Sequence, residues 1–368
     1  MHTDLKFLHA LNSIPGVGSA TLRLLREHFG SYEQAWAAAE SALRQLALPP
    51  GACDAIVQKR SAINPNRAMD ALIRSGIWIV TENDSEYPAL LRQITQPPVI
   101  LYGRGNAKSL TRADQSPGAF AVVGTRRPTQ QGLEAVDVVV RPLVEAGFTI
   151  VSGLAVGIDA RSHRAALDTK GITVAIVGSG IDDQSLFPQE NVSLSRRIQE
   201  SGGAVISEYA PGTPGLKEHF PQRNRIISGL SRGVLVVEAR ERSGALITSR
   251  FALDQNREVF AVPGSLFSPI SRGTNLLIQQ GAKLVLSAED ILSEFGMEAT
   301  KQESSRSAAS LDQNQKSIAF LLDEPLGVDE IKERTGFETP LILATLSLLE
   351  LKGIVKNLGQ DVYQRISG

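Results

Sequence analysis

The hydrophobic pattern of this chain changes period along its length. From about 5 to 62, apolar positions recur at helical spacing, whereas from about 118 to 287 short, continuous, β-branched apolar runs alternate with helical segments. Continuous apolar runs are typical of parallel strands that are buried on both faces. These runs lie at 119–124, 148–153, 173–178, 204–209, 233–239, 258–264 and 283–287.

The middle of the chain therefore predicts an α/β fold with an extended Rossmann-like, doubly wound and mainly parallel sheet. Two further apolar runs, at 77–80 and 99–102, precede the regular pattern and are expected to extend the sheet at one side. Prolines at 88, 97 and 98 indicate turns between these two runs.

The N-terminal part predicts a small helical domain of the helix-hairpin-helix or SAM-like kind. Its clearest feature is the stretch 14–21, where Gly16 and Gly18 lie in a short turn between two helical patterns. This turn resembles a motif that often lies against DNA phosphates, although a role in packing alone explains it equally well. Arg23, Arg26 and His28 follow the turn.

The C-terminal part predicts a winged helix, because three helical segments are followed by a short hairpin. We expect four regions: a helical domain (1–65), an extended Rossmann-like domain (66–296), a linker (297–313) and the winged helix (314–368). The third helix of the winged helix, 340–352, has no arginine and one lysine. Residues 313–368 hold six basic and eight acidic residues, so a protein partner or a packing role is favoured over duplex reading.

Composition limits the classes of function. The 368 residues carry 38 Lys and Arg against 39 Asp and Glu, so phosphate binding must come from a local patch rather than from overall charge. The single cysteine, Cys53, excludes a disulfide framework and a cysteine metal cluster. We expect no cofactor, no metal and no membrane span, and a cytoplasmic location, since no signal-peptide pattern is visible.

Ligands of an open parallel sheet bind beyond the carboxyl ends of its strands. The loops at these ends are rich in glycine, which lets backbone amides approach phosphates closely. They include 124–128, 152–159, 178–182 and 242–248. A dinucleotide fingerprint is incomplete, since Asp183 stands where a third glycine would follow Gly178 and Gly180, and these loops contain no P-loop pattern.

The stretch 217–230 is basic in its first half and apolar at helical spacing in its second half, which predicts a loop entering a helix. Pro221 suits the first helical position. From 217 to 232, four basic residues accompany a single acidic one, Glu218. Phe220 is either a core residue or a platform on which an unpaired base stacks. A basic, glycine-lined groove with one aromatic residue favours single-stranded nucleic acid over a mononucleotide.

The sequence contains candidate catalytic residues, but a structural role is favoured for each of them. Asp159 and His163 lie four residues apart and could share a metal, but a local hydrogen bond between them is favoured. Glu208 and Glu238 stand at strand ends, where a general base would be placed, and ion pairs with arginines at 223, 225 and 242 are favoured. Serines at 152, 179 and 243 have no evident His and Asp partners, so a hydrolase triad is not supported.

Several motifs, taken in order across about 75 to 290, resemble the DNA-processing protein family DprA, also called Smf. They are Gly124-Thr125-Arg126, Ser152-Gly153-Leu154-Ala155-x-Gly157-Ile158-Asp159, Phe220-Pro221-x-Arg223-Asn224-Arg225-Ile226-Ile227, Ser243-Gly244-Ala245-Leu246-Ile247-Thr248 and Pro263-Gly264 followed by Gly273-Thr274-Asn275. The resemblance implies a non-enzymatic homodimer of natural transformation. Such a protein binds and protects incoming single-stranded DNA during DNA uptake and helps load RecA for homologous recombination.

The resemblance also implies which residues touch DNA. Arg126 and Lys217 match the family's DNA-gripping basic residues, and Phe220 matches its base-contacting aromatic. The remaining expected DNA contacts are Gly124, Thr125, Arg223, Asn224 and Arg225, and possible further pocket residues are Ser152, Gly153, Ser243 and Gly244.

Two alternatives remain. A Rossmann-type nucleotide phosphoribohydrolase would share this sheet, but its Pro-Gly-Gly-x-Gly-Thr-x-x-Glu signature is replaced here by Ser-Gly-Ala-Leu-Ile-Thr at 243–248. A protein-interaction adaptor without a DNA role leaves the basic stretch unexplained.

Overall fold

The computed structural model describes residues 2–112, 114–297, 312–351, 354–359 and 361–365. It divides into two compact units, Met1–Met297 and Glu298–Gly368. Most of the predicted linker, from 298 to 311, lies outside the described residues.

The first unit is built on a sheet that has nine strands in the described part of the chain: β1 (Trp78–Thr81), β2 (Ile100–Gly105), β3 (Ala119–Val123), β4 (Thr149–Ser152), β5 (Thr173–Ile176), β6 (Ala204–Ser207), β7 (Gly233–Val236), β8 (Glu258–Ala261) and β9 (Lys283–Leu284). Their order across the sheet is β1-β2-β6-β5-β4-β3-β7-β8-β9. The seven strands β3 to β9 run parallel to one another. Strand β2 pairs antiparallel with β6, and β1 pairs antiparallel with β2. The mainly parallel doubly wound sheet and its extension by two earlier strands are thus confirmed.

Helices of the first unit precede the sheet, connect its strands or, in one case, follow its last strand. They are α1 (His2–Asn12), α2 (Ser19–Phe29), α3 (Tyr32–Ala37), α4 (Glu40–Arg44), α5 (Ala52–Lys59), α6 (Pro65–Arg74), α7 (Ala89–Arg92), α8 (Lys108–Arg112), α9 (Gln130–Glu145), α10 (Ile158–Asp168), α11 (Val192–Glu200), α12 (His219–Gly229), α13 (Gly244–Asp254), α14 (Arg272–Gln279) and α15 (Glu289–Glu294), with 3-10 turns at Arg60–Ala62 and Gln189–Asn191.

Strand β3 shows how the sheet is covered on both faces. Its residues Ala119, Ala121 and Val123 belong to one hydrophobic cluster, and Phe120 and Val122 belong to another on the opposite face. Successive strand side chains point to opposite faces, so a continuous apolar run is needed when both are buried.

The N-terminal helices share a core with the sheet rather than standing apart from it. Leu11 and Leu22 are in the same buried cluster as Tyr102 of β2 and Val205 of β6. The predicted hairpin turn lies between α1 and α2, and Gly16 has a φ of 86°. Arg23 is not free for DNA, because its guanidinium forms an ion pair with Glu82 at 2.8 Å.

The second unit is a winged helix, as predicted. It consists of α16 (Gln313–Leu321), β10 (Leu326–Gly327), α17 (Val328–Thr335), α18 (Thr339–Leu351), β11 (Val355–Gly359) and β12 (Val362–Arg365). Ile318, Ile331 and Leu346 of its three helices are fully buried together. Lys352, the lysine expected near the end of the third helix, lies outside the described residues.

Across the ranges that the structure describes, every helix is too short or too polar to cross a bilayer. The same ranges contain no group of three or more His, Cys, Asp and Glu side chains placed to hold a metal ion.

Candidate nucleic-acid interface

A cavity of about 210 Å³ opens beyond the carboxyl ends of β3, β4 and β5, and we call it the strand-end pocket. Four of the predicted site residues line it: Arg126, Gly153, Phe220 and Arg223. The rest of the lining is Ala155, Val156, Phe187, Pro188 and Glu190. Residues separated by almost a hundred positions therefore meet at the edge of the sheet where ligands of this architecture bind.

Helix α12 delivers Phe220 to the pocket. The helix begins at His219, so the expectation that Pro221 takes the first helical position is wrong by two residues. The proline is tolerated because amides of the first turn have no partner within a helix. Phe220 is thereby in the first helical turn, and the buried Ile226 and Ile227 pack in one hydrophobic cluster with residues of the sheet.

The Phe220 ring packs closely against two glycines, Gly178 and Gly215. A Cβ atom placed on Gly178 would lie 3.1 Å from ring atom Cδ1, and one placed on Gly215 would lie 3.3 Å from Cζ. The guanidinium carbon of Arg126 lies 5.4 Å from the ring centroid, which is a cation–π distance. Because the ring is only partly buried, it is anchored below and accessible from the pocket.

Phe187 forms a wall of the pocket that the sequence did not reveal. Its ring centroid lies 5.3 Å from that of Phe220 with an interplanar angle of 44°, and the residue is 41% exposed. Phe187 follows the loop after β5, and its backbone N donates to Ser179 Oγ at 3.1 Å. The available signal was an aromatic residue before Pro188, close behind the glycine-rich strand end.

The loop that carries Arg126 is fixed through its backbone. Thr125 N donates to Glu238 O at 2.8 Å, and Thr125 O accepts from Ile158 N at 3.2 Å. Gly157 has a φ of 88°, and a Cβ there would lie 2.4 Å from Thr125 O, so only glycine permits this approach. Gly124 precedes this segment, and Arg126 is exposed on the loop that these bonds fix, with its guanidinium over the Phe220 ring.

Arg223 supports the pocket from below. It is 4% exposed, and its Nη1 donates to Gly153 O at 2.5 Å and also to Ile176 O. Burial lowers the pKa of Arg223 to about 10, with the nearby Asp159 carboxylate opposing the shift. The guanidinium therefore stays charged at neutral pH and connects the ends of β4 and β5.

Asp159 and His163 do not form the favoured hydrogen bond with each other. Asp159 accepts instead from Gly153 N at 3.1 Å, and burial raises the pKa of its carboxyl while Arg223 opposes that rise. His163 Nδ1 lies 2.6 Å from Thr173 Oγ1, and burial lowers the pKa of this histidine to about 3. Asp159 thus holds the loop after β4 in place, and His163 connects α10 to β5.

Arg225 and Asn224 face away from the pocket lining. Arg225 forms an ion pair with Glu208 at 2.5 Å, with the side chains 12% and 10% exposed, which confirms the ion pair favoured for this glutamate. Burial raises the pKa of Glu208 and Arg225 opposes the rise. Asn224 Nδ2 donates to Gly244 O at 3.2 Å and so connects α12 to α13.

The remaining predicted residues lie at the margins. Ser152 is fully buried and donates to Val122 O, whereas Ser243 caps α13 by accepting from Ala245 N. Lys217 is exposed just before α12, and no acidic side chain among the described residues pairs with it.

Of the acidic side chains at this edge, Glu190 is exposed in the pocket lining, whereas Asp159, Glu208 and Glu238 are already occupied. Glu238 accepts from Thr129 N at 3.0 Å, whereas an arginine partner had been favoured for it, so that prediction is wrong. Asp159 accepts from a backbone amide, Glu208 pairs with Arg225, and Glu238 accepts from both the backbone amide and the hydroxyl of Thr129, which caps α9. The arrangement offers cations, amides and an aromatic ring, which suits binding of an anionic, base-bearing ligand.

Comparison with known proteins finds matching family models and similar proteins. The family model described as DNA recombination-mediator protein A matches residues 78–296, and the model of the DprA winged helix domain matches residues 302–360. The chain is similar to the protein Smf of Synechocystis, with 34% identity over 97% of each chain. It is also similar to the DNA processing protein DprA of Bacillus subtilis, with 43% identity over 62% of this chain and 75% of the relative.

The solved structures that are similar to this chain include two of DNA processing protein A. The crystal structure of DNA processing protein A from Streptococcus pneumoniae has 34% identity and a TM-score of 0.65, covering 79% of this chain and 98% of that one. DNA processing protein A from Helicobacter pylori, whose structure was described for its single-stranded DNA binding mode, has 28% identity and a TM-score of 0.52, covering 59% and 94%.

Proposed function

We propose that this chain, which belongs to the DprA/Smf family of DNA-processing proteins, grips single-stranded DNA in the strand-end pocket. The observation that carries the proposal is the meeting of Arg126, Phe220 and Arg223 at one cavity. A cation beside an accessible aromatic ring serves both parts of a nucleotide, since the phosphate pairs with the cation and the base stacks on the ring. Lys217, exposed before the same helix, adds a second phosphate contact.

Fluorescence anisotropy with labelled dT20 tests this proposal. We expect binding that weakens steeply as salt rises, because phosphate contacts release counterions. Arg126→Ala and Lys217→Ala are each expected to weaken binding while the unfolding midpoint stays unchanged. Arg67→Ala is a matched control, since Arg67 is an exposed arginine on α6. Salt-independent binding, or wild-type affinity in both pocket variants, would contradict the proposal.

The biological role that we propose is natural transformation, in which the protein protects incoming single-stranded DNA and helps load RecA for recombination. Its support is the matching family model, which describes a recombination mediator. Nuclease digestion of dT-containing strands tests protection. RecA filament formation on coated strands, measured with wild type and Arg126→Ala, tests loading.

Self-association into a homodimer is also proposed. Its support is a group of exposed apolar side chains around the edge strand β9: Leu266, Phe267, Leu276, Leu284 and Leu286 are between 38% and 97% exposed. An exposed strand edge with apolar side chains is a typical pairing surface. Light scattering after gel filtration measures the mass directly.

The protein is proposed to act in the cytoplasm by binding rather than by catalysis. A role in binding is supported by the carboxylates of Asp159, Glu208 and Glu238, which are all occupied by hydrogen bonds or an ion pair within the protein. A general base must instead be free to take a proton. Released base or phosphate after incubation with nucleoside monophosphates would instead favour the nucleotide phosphoribohydrolase alternative.

A further inference from the structure

Four exposed arginines lie beyond the strand-end pocket, and we infer that they form a second group of phosphate contacts along which the bound strand continues. We call this group the arginine track: Arg127, Arg240, Arg242 and Arg272. The inference rests on the proposed function and extends it from one pocket to a directed path across the carboxyl ends of β3, β7 and β8.

The backbone places the loops of the track side by side. Strand β7 pairs with β3 on one side and with β8 on the other. Thr125 N donates to Glu238 O at 2.8 Å, which joins the loops after β3 and β7. Gly273 N donates to Ala239 O at 2.8 Å, which joins the loop after β7 to the start of α14. The arginines therefore follow one another along a continuous edge that begins at Arg126.

The charge of the track is available to a ligand. Within the described part of the chain, the side chains of Arg127, Arg240 and Arg242 are exposed and have no ion-pair partner. Arg272 faces Glu241 at 3.8 Å, but their side chains are 65% and 53% exposed, so solvent weakens that pair. The other acidic residue, Glu238, is 8% exposed and turned inward onto Thr129 N.

The length of the track sets the length of DNA that it serves. Neighbouring strands are about 4.8 Å apart, so the three steps from β4 at the pocket to β8 span roughly 15 Å. At about 3.4 Å for each stacked nucleotide, this distance accepts about four nucleotides beyond those in the pocket. Affinity should therefore rise between oligomers that fill only the pocket and those that also reach the track.

The test compares dT5 and dT20 by fluorescence anisotropy with wild type, the double variant Arg240→Ala/Arg242→Ala, Arg126→Ala, and the control Arg67→Ala/Arg74→Ala, which removes two exposed arginines from α6. We expect the track variant to bind dT20 about tenfold more weakly and to lose about 1.4 from its salt slope, which is two single-strand phosphate contacts. Its weakening with dT5 should stay within about twofold. Arg126→Ala should weaken both oligomers, and the α6 control should weaken neither.

The outcomes separate the track from the pocket. Wild-type binding of dT20 by the track variant, with Arg126→Ala impaired, would overturn the track and leave the proposed function standing. Equal losses of the track variant on dT5 and dT20 would also overturn it, because the arginines would then act within the pocket or through folding. Absence of dT20 binding by the wild type would overturn both proposals.

Discussion

The guanidinium carbon of Arg126 lies 5.4 Å from the ring centroid of Phe220, so a cation from the loop after β3 rests on an aromatic ring from the start of α12. Such a contact is worth about 0.5–2 kcal/mol, depending on how far it is desolvated. The two residues therefore position each other as well as the ligand that we propose for them.

This contact predicts non-additive variants. Phe220→Leu should weaken dT20 binding by about 1–3 kcal/mol, the typical loss when a base can no longer stack. Arg126→Ala should weaken binding mainly by lowering the salt slope by about 0.7. The loss of binding free energy in the double variant should differ from the sum of the two single losses by at least about 0.5 kcal/mol, because the effects of residues in contact are coupled. Additive losses would show that the contact has no part in binding.

Leucine is chosen at position 220 because it keeps apolar volume against Gly178 and Gly215. Phe220→Leu should therefore unfold in urea near the wild-type midpoint. A large drop in that midpoint would mean that the ring is chiefly a core residue.

Arg225 should affect stability more than its position among the expected DNA contacts suggests. Arg225→Ala leaves Glu208 buried without its partner, which typically costs about 3–5 kcal/mol of unfolding free energy. Replacing both residues, as in Arg225→Met/Glu208→Leu, should recover most of that loss, because no unpaired charge remains. Urea denaturation of the three proteins measures this, and a fully stable Arg225→Ala variant with lost DNA affinity would favour direct contact with the strand.

Two buried histidines should make the first unit sensitive to acid. Burial lowers the pKa of His163 to about 3 and that of His9 to about 4. Between these values and the ordinary pKa of 6.5, both histidines are protonated in the unfolded chain and neutral in the folded chain. Their contribution to stability is complete above about pH 6.5 and falls as the pH drops. Each histidine lowers the free energy of unfolding by about 2 kcal/mol at pH 5 relative to neutral pH.

His163→Leu isolates one of these contributions. Between pH 6 and 4, the unfolding free energy of this variant should fall less steeply than that of the wild type, by about 1.4 kcal/mol for each pH unit. Comparing the two proteins removes the effects of carboxyl groups common to both. Parallel pH profiles would show that His163 is protonated in the folded state.

The proposed dimer predicts that Leu286→Asp gives a monomer. Leu286 is 74% exposed beyond β9, and a carboxylate there would be desolvated by a partner subunit. Ile73→Asp is a suitable control, since Ile73 is 61% exposed on α6. Light scattering distinguishes the masses, and an unchanged dimer in Leu286→Asp would place the self-association surface elsewhere.

The sequence was most informative where a repeating pattern of residues reflects the backbone conformation. Apolar runs predicted the strands, and the glycine-rich ends of β3 to β5 predicted where a site would form, because the topology of a parallel sheet brings such ends together. The sequence also predicted that the basic stretch around Phe220 enters a helix.

Sequence reasoning failed where a contact joins distant segments. Nothing near Phe187 reveals that its ring meets Phe220, and nothing near Glu238 reveals that Thr129 rather than an arginine is its partner. Helix starts are also weakly specified by one proline, since Pro221 is acceptable at more than one position of the first turn.

The strand-end pocket draws its walls from segments that are far apart in the sequence, from Arg126 to Arg223. Those walls come together only when β3, β4 and β5 are paired, so a partly folded chain has no pocket to offer. A ligand that binds only the completed sheet stabilises it by mass action, by about 2.7 kcal/mol at a free concentration one hundred times its dissociation constant. Nucleic acid would then act as a folding ligand, and the capture of a strand would itself select the chains whose sheet is intact.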